Sequence, residues 1–192
     1  MKVLIEISAR HIHLSQKDLK ILFGKEGALT QKKTLSQPGE FLCNERVTLI
    51  GPKKSIENMA IIGPCRNKTQ VELSITDARS VGINAPIRIS GDLDQSSGCK
   101  LVGPIGEIEL SEGVIVVKRH LHMKTIHAEE LGLKDGDVVM VKIESPERTT
   151  IFDNVCVRVD SNFELVMHID TDEANAAGCI EETYGEIILK KD

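Results

Sequence analysis

The chain has no tryptophan, one tyrosine and four phenylalanines. With so few aromatics, its core must be filled by Ile, Val and Leu, whose branched side chains suit β-structure. Long apolar runs are also missing, and none approaches the ~20 residues a membrane-spanning helix needs. The N-terminal stretch MKVLIEISAR has only three consecutive apolar residues before Glu6 and no cleavage-type segment, so no signal peptide is expected there. Cys43, Cys65, Cys99, Cys156 and Cys179 include no pair separated by two residues, which excludes a CxxC zinc site. Their odd number and wide spacing speak against a disulfide framework, so reduced, mostly buried thiols in a cytoplasmic protein are expected. The net charge of −5 argues against the broad basic footprint of a nucleic-acid binder. Neither GxGxxG nor GxxxxGK[ST] occurs, and no GxSxG elbow, so dinucleotide folds, P-loops and serine hydrolases lose their usual signals.

What is present fits one large domain or two small ones in 192 residues. Val3–Ile7 reads as a strand. Ser15, with Asp18 three residues on and Gly24 as a stop, predicts a helix over Gln16–Phe23. Further strands are expected at Arg46–Gly51, Ile56–Ile62, Thr69–Ile75, Ile87–Ser90, Cys99–Val102, Gly106–Leu110 and Gly113–Val117. Turn signals at Gln37-Pro38-Gly39, Gly51-Pro52 and Gly63-Pro64 separate some of them. Thr76-Asp77 is expected to cap a helical turn ending at Gly82, and the polar stretch Gly91–Gly98 to be a mobile loop. The last third predicts strands at Val138–Ile143, Thr149–Arg158, Phe163–Ile169 and Gly185–Leu189, with a short helix at Asp172–Ala177. Many short strands with few helices point to a mainly β protein of barrels or sandwiches.

An internal repeat organises these elements. Arg10-His11-Ile12-His13 near the start is echoed by Arg119-His120-Leu121-His122, and a short helix ending at glycine follows each. Downstream, Glu72 precedes Thr76-Asp77 and Gly82, while His168 precedes Thr171-Asp172 and Gly178. In extended chain, residues i and i+2 share a face, so an HxH pair delivers two imidazoles to one point. Zinc accepts such nitrogens, and a third protein ligand leaves a coordination position open for substrate. The natural partition is His11, His13 and Glu72 for one metal and His120, His122 and His168 for another. The spacing leaves open whether there are two centres or one. His127 lies inside the short helix after the second pair and is expected to be a surface or helix-terminus residue rather than a ligand. Arg10 and Arg119 should point away from the first ligand of each pair. Arg66, in a turn ahead of the Glu72 strand, could reach an anion beside the metal or form an ordinary ion pair. Lys32, Lys33, Lys53 and Lys54 read as solvated clusters.

Residues 6–15 (EISARHIHLS), 63–72 (GPCRNKTQVE), Ala78-Arg79, Gly91-Asp92, 117–122 (VKRHLH) and 166–178 (VMHIDTDEANAAG) resemble, in order, the motifs of the PduL-type phosphotransacylases (phosphate propanoyltransferases). The resemblance covers nearly the whole chain. It implies exchange of a short acyl group between coenzyme A and inorganic phosphate. It also implies two zinc ions near the interface of two small β-barrels with short capping helices, the first strand joining the C-terminal barrel. The expected domains are residues 10–117 for one barrel and 1–9 plus 118–192 for the other. Carried over residue by residue, His11, His13 and Glu72 hold the zinc that meets the CoA sulfur, and His120, His122 and His168 hold the second. Arg66 matches the active-site arginine, and Ser8, Lys33 and Asn175 fall where the family contacts CoA. Acyl-CoA and phosphate are the implied partners, with a homodimer plausible. No amphipathic extension for packaging in microcompartment shells precedes the signature, so a cytoplasmic enzyme, or one packaged by another route, is expected. A zinc-dependent hydrolase and a non-catalytic binding module are the competing readings.

Overall fold

The computed structural model describes residues 1–190. In chain order the elements are β1 (Lys2–Ile7), β2 (His11–His13), α1 (Gln16–Phe23), β3 (Gln31–Thr34), β4 (Phe41–Ile50), β5 (Ser55–Gly63), β6 (Gln70–Glu72), α2 (Ile75–Val81), β7 (Ile87–Arg88), β8 (Ser97–Val102) and β9 (Glu107–Val117). They continue with β10 (His120–Met123), α3 (Thr125–Leu131), β11 (Val138–Ile143), β12 (Thr150–Val159), β13 (Val166–Ile169), α4 (Thr171–Ala177) and β14 (Tyr184–Ile188). The protein is mainly β, as its composition and strand spacing predict.

Two compact units form. One comprises Ala9–Leu35 and Gly39–Val117, and the other Met1–Ser8, Ser36–Pro38 and the chain from Lys118 on. In the first, the ladders β4-β5-β2-β6-β9-β8 close back on β4, with β3 and β7 appended at β4 and β9. In the second, β11-β12-β10-β13-β1-β14 close into a barrel. The two rings match strand for strand in order and direction. β2 runs parallel to β5 and antiparallel to β6, as β10 does to β12 and β13. β6 runs parallel to β9, as β13 does to β1. The internal repeat is therefore a repeat of whole barrels, with one difference of connectivity. The sixth strand of the first barrel, β9, follows in sequence, whereas that of the second, β1, comes from the start of the chain.

Each ring encloses its own aliphatic core. Ile12, Leu14, Leu49, Ile61, Val71 and Leu101 are buried in the first, and Val3, Ile5, Leu121, Val139, Val155 and Met167 in the second. Closure removes sheet edges, which is why so short a strand as β2 is stable: partners on both sides take up its backbone groups. β1 closes the second ring between β13 and β14, and it buries Val3 and Ile5. Ile5→Ala is accordingly expected to cost about 2–5 kcal/mol, a core-sized loss from a residue close to the chain start. A denaturant midpoint unchanged from the parent chain would contradict that role.

The helix starts differ in how plainly local signals mark them. The Ser15 hydroxyl accepts the Asp18 amide (3.1 Å) and opens α1 at the expected residue. For α2 the cap is Ser74, not Thr76-Asp77; its hydroxyl accepts the Asp77 amide (3.1 Å). The preceding strand thus stops at Glu72 rather than running to Ile75. The cap of α4 is Asp170, which forms a reciprocal capping box with Glu173. Glu72 and His168 each stand two residues ahead of their cap, so the repeat aligns on Ser74 and Asp170. The two strands expected between Gly106 and Val117 are one continuous β9. Its Gly113 has φ 127° and lies so near the Thr69 carbonyl that an added Cβ would sit 2.8 Å from it. Gly91–Gly98 is not a free loop: Leu93 and Ser96 are buried, and the Ser96 hydroxyl donates to the Leu93 carbonyl and accepts the Gly113 amide. Within it, Ser97 and Gly98 already belong to β8.

Candidate metal centres and active site

All three residues of β2 are buried, His11 and His13 included. The antiparallel register sets His11 directly across from Glu72 on β6. His11 Nε2 lies 3.2 Å from His13 Nε2 and 3.3 Å from Glu72 Oε2, and Glu72 Oε1 lies 3.7 Å from His13 Nε2. The second barrel repeats the arrangement. His120 on β10 is paired across the ladder with His168 on β13. The His120, His122 and His168 rings meet edge-on with centroids 4.7–5.2 Å apart. In each group the candidate donor atoms lie within 4.8 Å of one another.

The tautomers are set by the backbone. His11 Nδ1 donates to the Ala9 carbonyl (2.8 Å) and His13 Nδ1 to the Ile62 carbonyl (3.2 Å). In the second barrel His120 Nδ1 donates to the Lys118 carbonyl (2.9 Å), two residues back as in His11. A carbonyl only accepts, so each of these rings carries a proton on Nδ1 and, in its neutral form, keeps a lone pair on Nε2. Two Nε2 atoms and a carboxylate therefore converge in a buried space, an arrangement that draws in a cation, whether a proton on His11 or a metal ion. Tetrahedral zinc with bonds of about 2.0–2.1 Å would place neighbouring donors about 3.3 Å apart, close to the separations found. His122 Nδ1 is buried without a hydrogen-bond partner. One donor set is two imidazoles with a carboxylate, the other three imidazoles; both suit zinc and leave a coordination position for substrate.

Electrostatics point the same way. Burial by itself would raise the Glu72 pKa, but His11, His13 and Arg66 outweigh it and hold the carboxyl well below the usual range. Burial, with His11 and Arg66 nearby, pushes His13 down to about 3. Burial, His120 and His168 push His122 to about 2. Both rings are thus neutral at neutral pH and able to ligate. For His11, burial opposes the charged form, yet the Glu72 charge and hydrogen bond prevail and raise its pKa.

Arg66 adjoins the first group. Its amide donates to the Leu14 carbonyl, and its guanidinium donates to Ser90 Oγ (3.0 Å) and Glu40 Oε1 (3.1 Å). Ser90 Oγ in turn donates to Glu72 Oε1 (3.2 Å). Gln70, almost fully buried, donates from Nε2 to Glu72 Oε1 (2.5 Å) and accepts the Gly91 amide on Oε1 (2.8 Å). Gln70 and Ser90 are not picked out by sequence reasoning. Gln70 left a signal, since it sits two residues before Glu72 on the same strand face. Ser90 left none, because a helix and a further strand separate it from the carboxylate it touches.

The flanking arginines do not join the donor groups. Arg10 pairs with Asp77 (3.2 Å) and Arg119 with Glu173 (2.7 Å), in each barrel the third residue of the helix that follows the third donor. Each arginine thus ties its HxH strand to that helix. Ser8, just past β1, donates its amide to the Ile169 carbonyl. Lys33 is exposed on β3, and Asn175 is exposed on α4 with its carbonyl accepting from Arg148. Ser8 and Asn175 belong to the second unit and Lys33 to the first. Lys32, Lys53 and Lys54 are solvated, and His127 on α3 lies outside both donor groups. None of the five cysteines is disulfide-bonded, and burial raises the Cys43 and Cys99 thiols to about 11 and about 12. Among the described residues no helix is long and apolar enough to cross a membrane.

Residues 4–180 match the family described as phosphate propanoyltransferase. The chain belongs to the phosphate propanoyltransferase family. It is 47% identical over 186 residues to a phosphate propanoyltransferase of Clostridioides difficile, covering 97% of this chain and 88% of that protein. It is 49% identical over 175 residues to that of Thermotoga maritima (91% and 83% covered). To that of Shewanella putrefaciens it is 51% identical over 172 residues (90% and 81%). As a phosphate propanoyltransferase family member the protein is an acyltransferase, so the binding-module reading falls away.

Proposed function

We propose that the protein exchanges a short acyl group between coenzyme A and inorganic phosphate, with one zinc ion held by His11, His13 and Glu72 and another by His120, His122 and His168. The observation that carries this reading is the convergence of two Nε2 atoms, on rings whose Nδ1 protons are taken up by main-chain carbonyls, with a carboxylate next to Arg66. Zinc at these positions supplies Lewis acidity toward a thioester carbonyl and affinity for thiolate sulfur.

The chain's own groups do the rest. Phosphate is anionic at neutral pH and needs no base, so the task is to hold it against the carbonyl carbon. The Arg66 fork has more donors than its bonds to Ser90 and Glu40 consume, and a guanidinium matches phosphate oxygens in pairs. Such positioning removes much of the entropic cost of encounter. A phosphate oxygen forms the new C–O bond, the C–S bond breaks, and its electron pair leaves on the CoA sulfur. No acyl-enzyme is needed. Cys65, the neighbour of Arg66, is a poor nucleophile because burial raises its pKa and keeps it a thiol. Lys33, exposed and cationic, suits the phosphates of CoA.

The test is thiol release from acetyl-, propanoyl- and butanoyl-CoA with zinc present, with and without phosphate. Release that depends on phosphate and yields acyl phosphate is expected. Equal release without phosphate would make the protein a thioesterase and overturn the reading.

A further inference from the structure

The second centre has a feature that the first lacks. Glu6 on β1 is laterally paired with His168 in the parallel β1–β13 ladder, and its Oε2 lies 3.1 Å from His168 Nε2. The corresponding register in the first barrel pairs Glu72 with Ile115, a residue with no polar side chain. A carboxylate can only accept, so His168 carries its proton on Nε2 and is left with the Nδ1 lone pair to give. His11, His13 and His120 have their tautomers set by main-chain carbonyls; for His168 that partner is a side chain.

Glu6 is itself held. Ser36 Oγ donates to the same Oε2 (2.6 Å). Ser36–Pro38 comes from the β3–β4 connection but belongs to the unit of the second barrel. The adjoining Gln37 is 4% exposed, and its side-chain oxygen accepts the Glu164 amide (3.3 Å). Next to Glu164, the Phe163 ring packs edge-on against His122 with centroids 4.4 Å apart. The segment thus contacts the surroundings of two of the three donors.

We infer that Glu6 is a positioning residue of the second metal centre: its carboxylate, braced by Ser36, fixes the tautomer and ring orientation of His168. Glu6 stands outside the three-donor group and acts through His168. It also answers a charge imbalance. The first centre contains a carboxylate among its donors, whereas the second offers three imidazoles. A carboxylate one step out makes the imidazole a stronger donor and offsets part of the cation's charge.

This inference rests on the metal reading above, and the experiment separates the two. Metal-free protein is titrated with Zn2+ against a chromogenic chelator, and folding is followed by thermal melting. The wild-type chain is expected to bind two equivalents. Glu6→Ala is expected to weaken one of them by about 10–100-fold, the usual cost of losing such an outer partner, and to leave the other within about two-fold. The weakened equivalent should be the one His168→Ala abolishes. Glu6→Gln, whose amide oxygen still accepts from Nε2–H, should restore most of the affinity. Ser36→Ala should cost a few-fold at the same equivalent. Unchanged binding in Glu6→Ala overturns the inference, as does equal loss at both equivalents or a Gln variant as impaired as the Ala variant. A wild-type chain that binds fewer than two metals overturns the metal reading itself and Glu6's role with it.

Discussion

Glu72→Ala is expected to release the metal of the first centre and to lower turnover by at least about 10²–10³-fold, the loss typical of removing one key electrostatic group. The carboxylate is one of three donors, and its buried position means nothing from solvent replaces it. Its removal also leaves Gln70 and Ser90 without the acceptor that both bond. Zinc analysis should fall from two equivalents to one, with the second centre unaffected. Acidification of the wild-type chain tests the same site. Burial lowers the His11 pKa, but Glu72 more than compensates and holds it above the ordinary imidazole value. In metal-free protein this ring is therefore protonated up to and beyond that value, and metal must displace the proton. Affinity at the first centre should rise with pH through this range and fall as pH drops through the raised pKa. Once Glu72 is removed, burial and Arg66 lower the His11 pKa against only the Ala9 hydrogen bond, and residual binding should lose that pH dependence. Two retained zinc equivalents in Glu72→Ala would overturn its assignment as a ligand.

Arg66→Ala is expected to cut turnover by about 10²–10³-fold while both zinc equivalents remain, with the phosphate KM raised. The guanidinium contacts Ser90 and Glu40 rather than a donor atom, so its loss removes an anion partner and leaves the donor set standing. Glu40 is partly exposed, and its unpaired charge can be solvated. Arg66→Lys should recover only part of the rate, since an ammonium keeps the charge but loses the paired donors that match phosphate. Loss of one zinc equivalent in Arg66→Ala would instead mean that the residue acts through Ser90 on Glu72. Near-normal turnover would remove it from the mechanism altogether.

Local patterns carried much of this protein. The HxH pairs, the Ser15 cap and the alternation around Glu72 depend on residues within a few positions of one another, where strand and helix periods act directly. So does the mainly β character, since aliphatic branched residues are what the chain has to bury. Local signals mislead where they have a close competitor. Thr76-Asp77 looks like a cap, but Ser74 two residues earlier has the geometry, and the helix begins there. Gly91–Gly98 reads as free loop because its polarity hides the Ser96 hydroxyl that anchors it to Leu93 and Gly113.

By itself the sequence determined which side chains could bind metal and that two HxH pairs deliver them, because each pair is made by a single strand's period; it left open one centre or two. Only tertiary structure decided how Glu72 and His168, which the repeat had paired with them, come to stand beside the two HxH strands. The ladder register puts His11 across from Glu72, four strands further along the chain, and His120 across from His168. Barrel closure brings β1 beside β13, so that Glu6 meets a histidine 162 positions away. Such neighbours are chosen by which strands pair and in what register, and that choice belongs to the closed ring rather than to any stretch of chain.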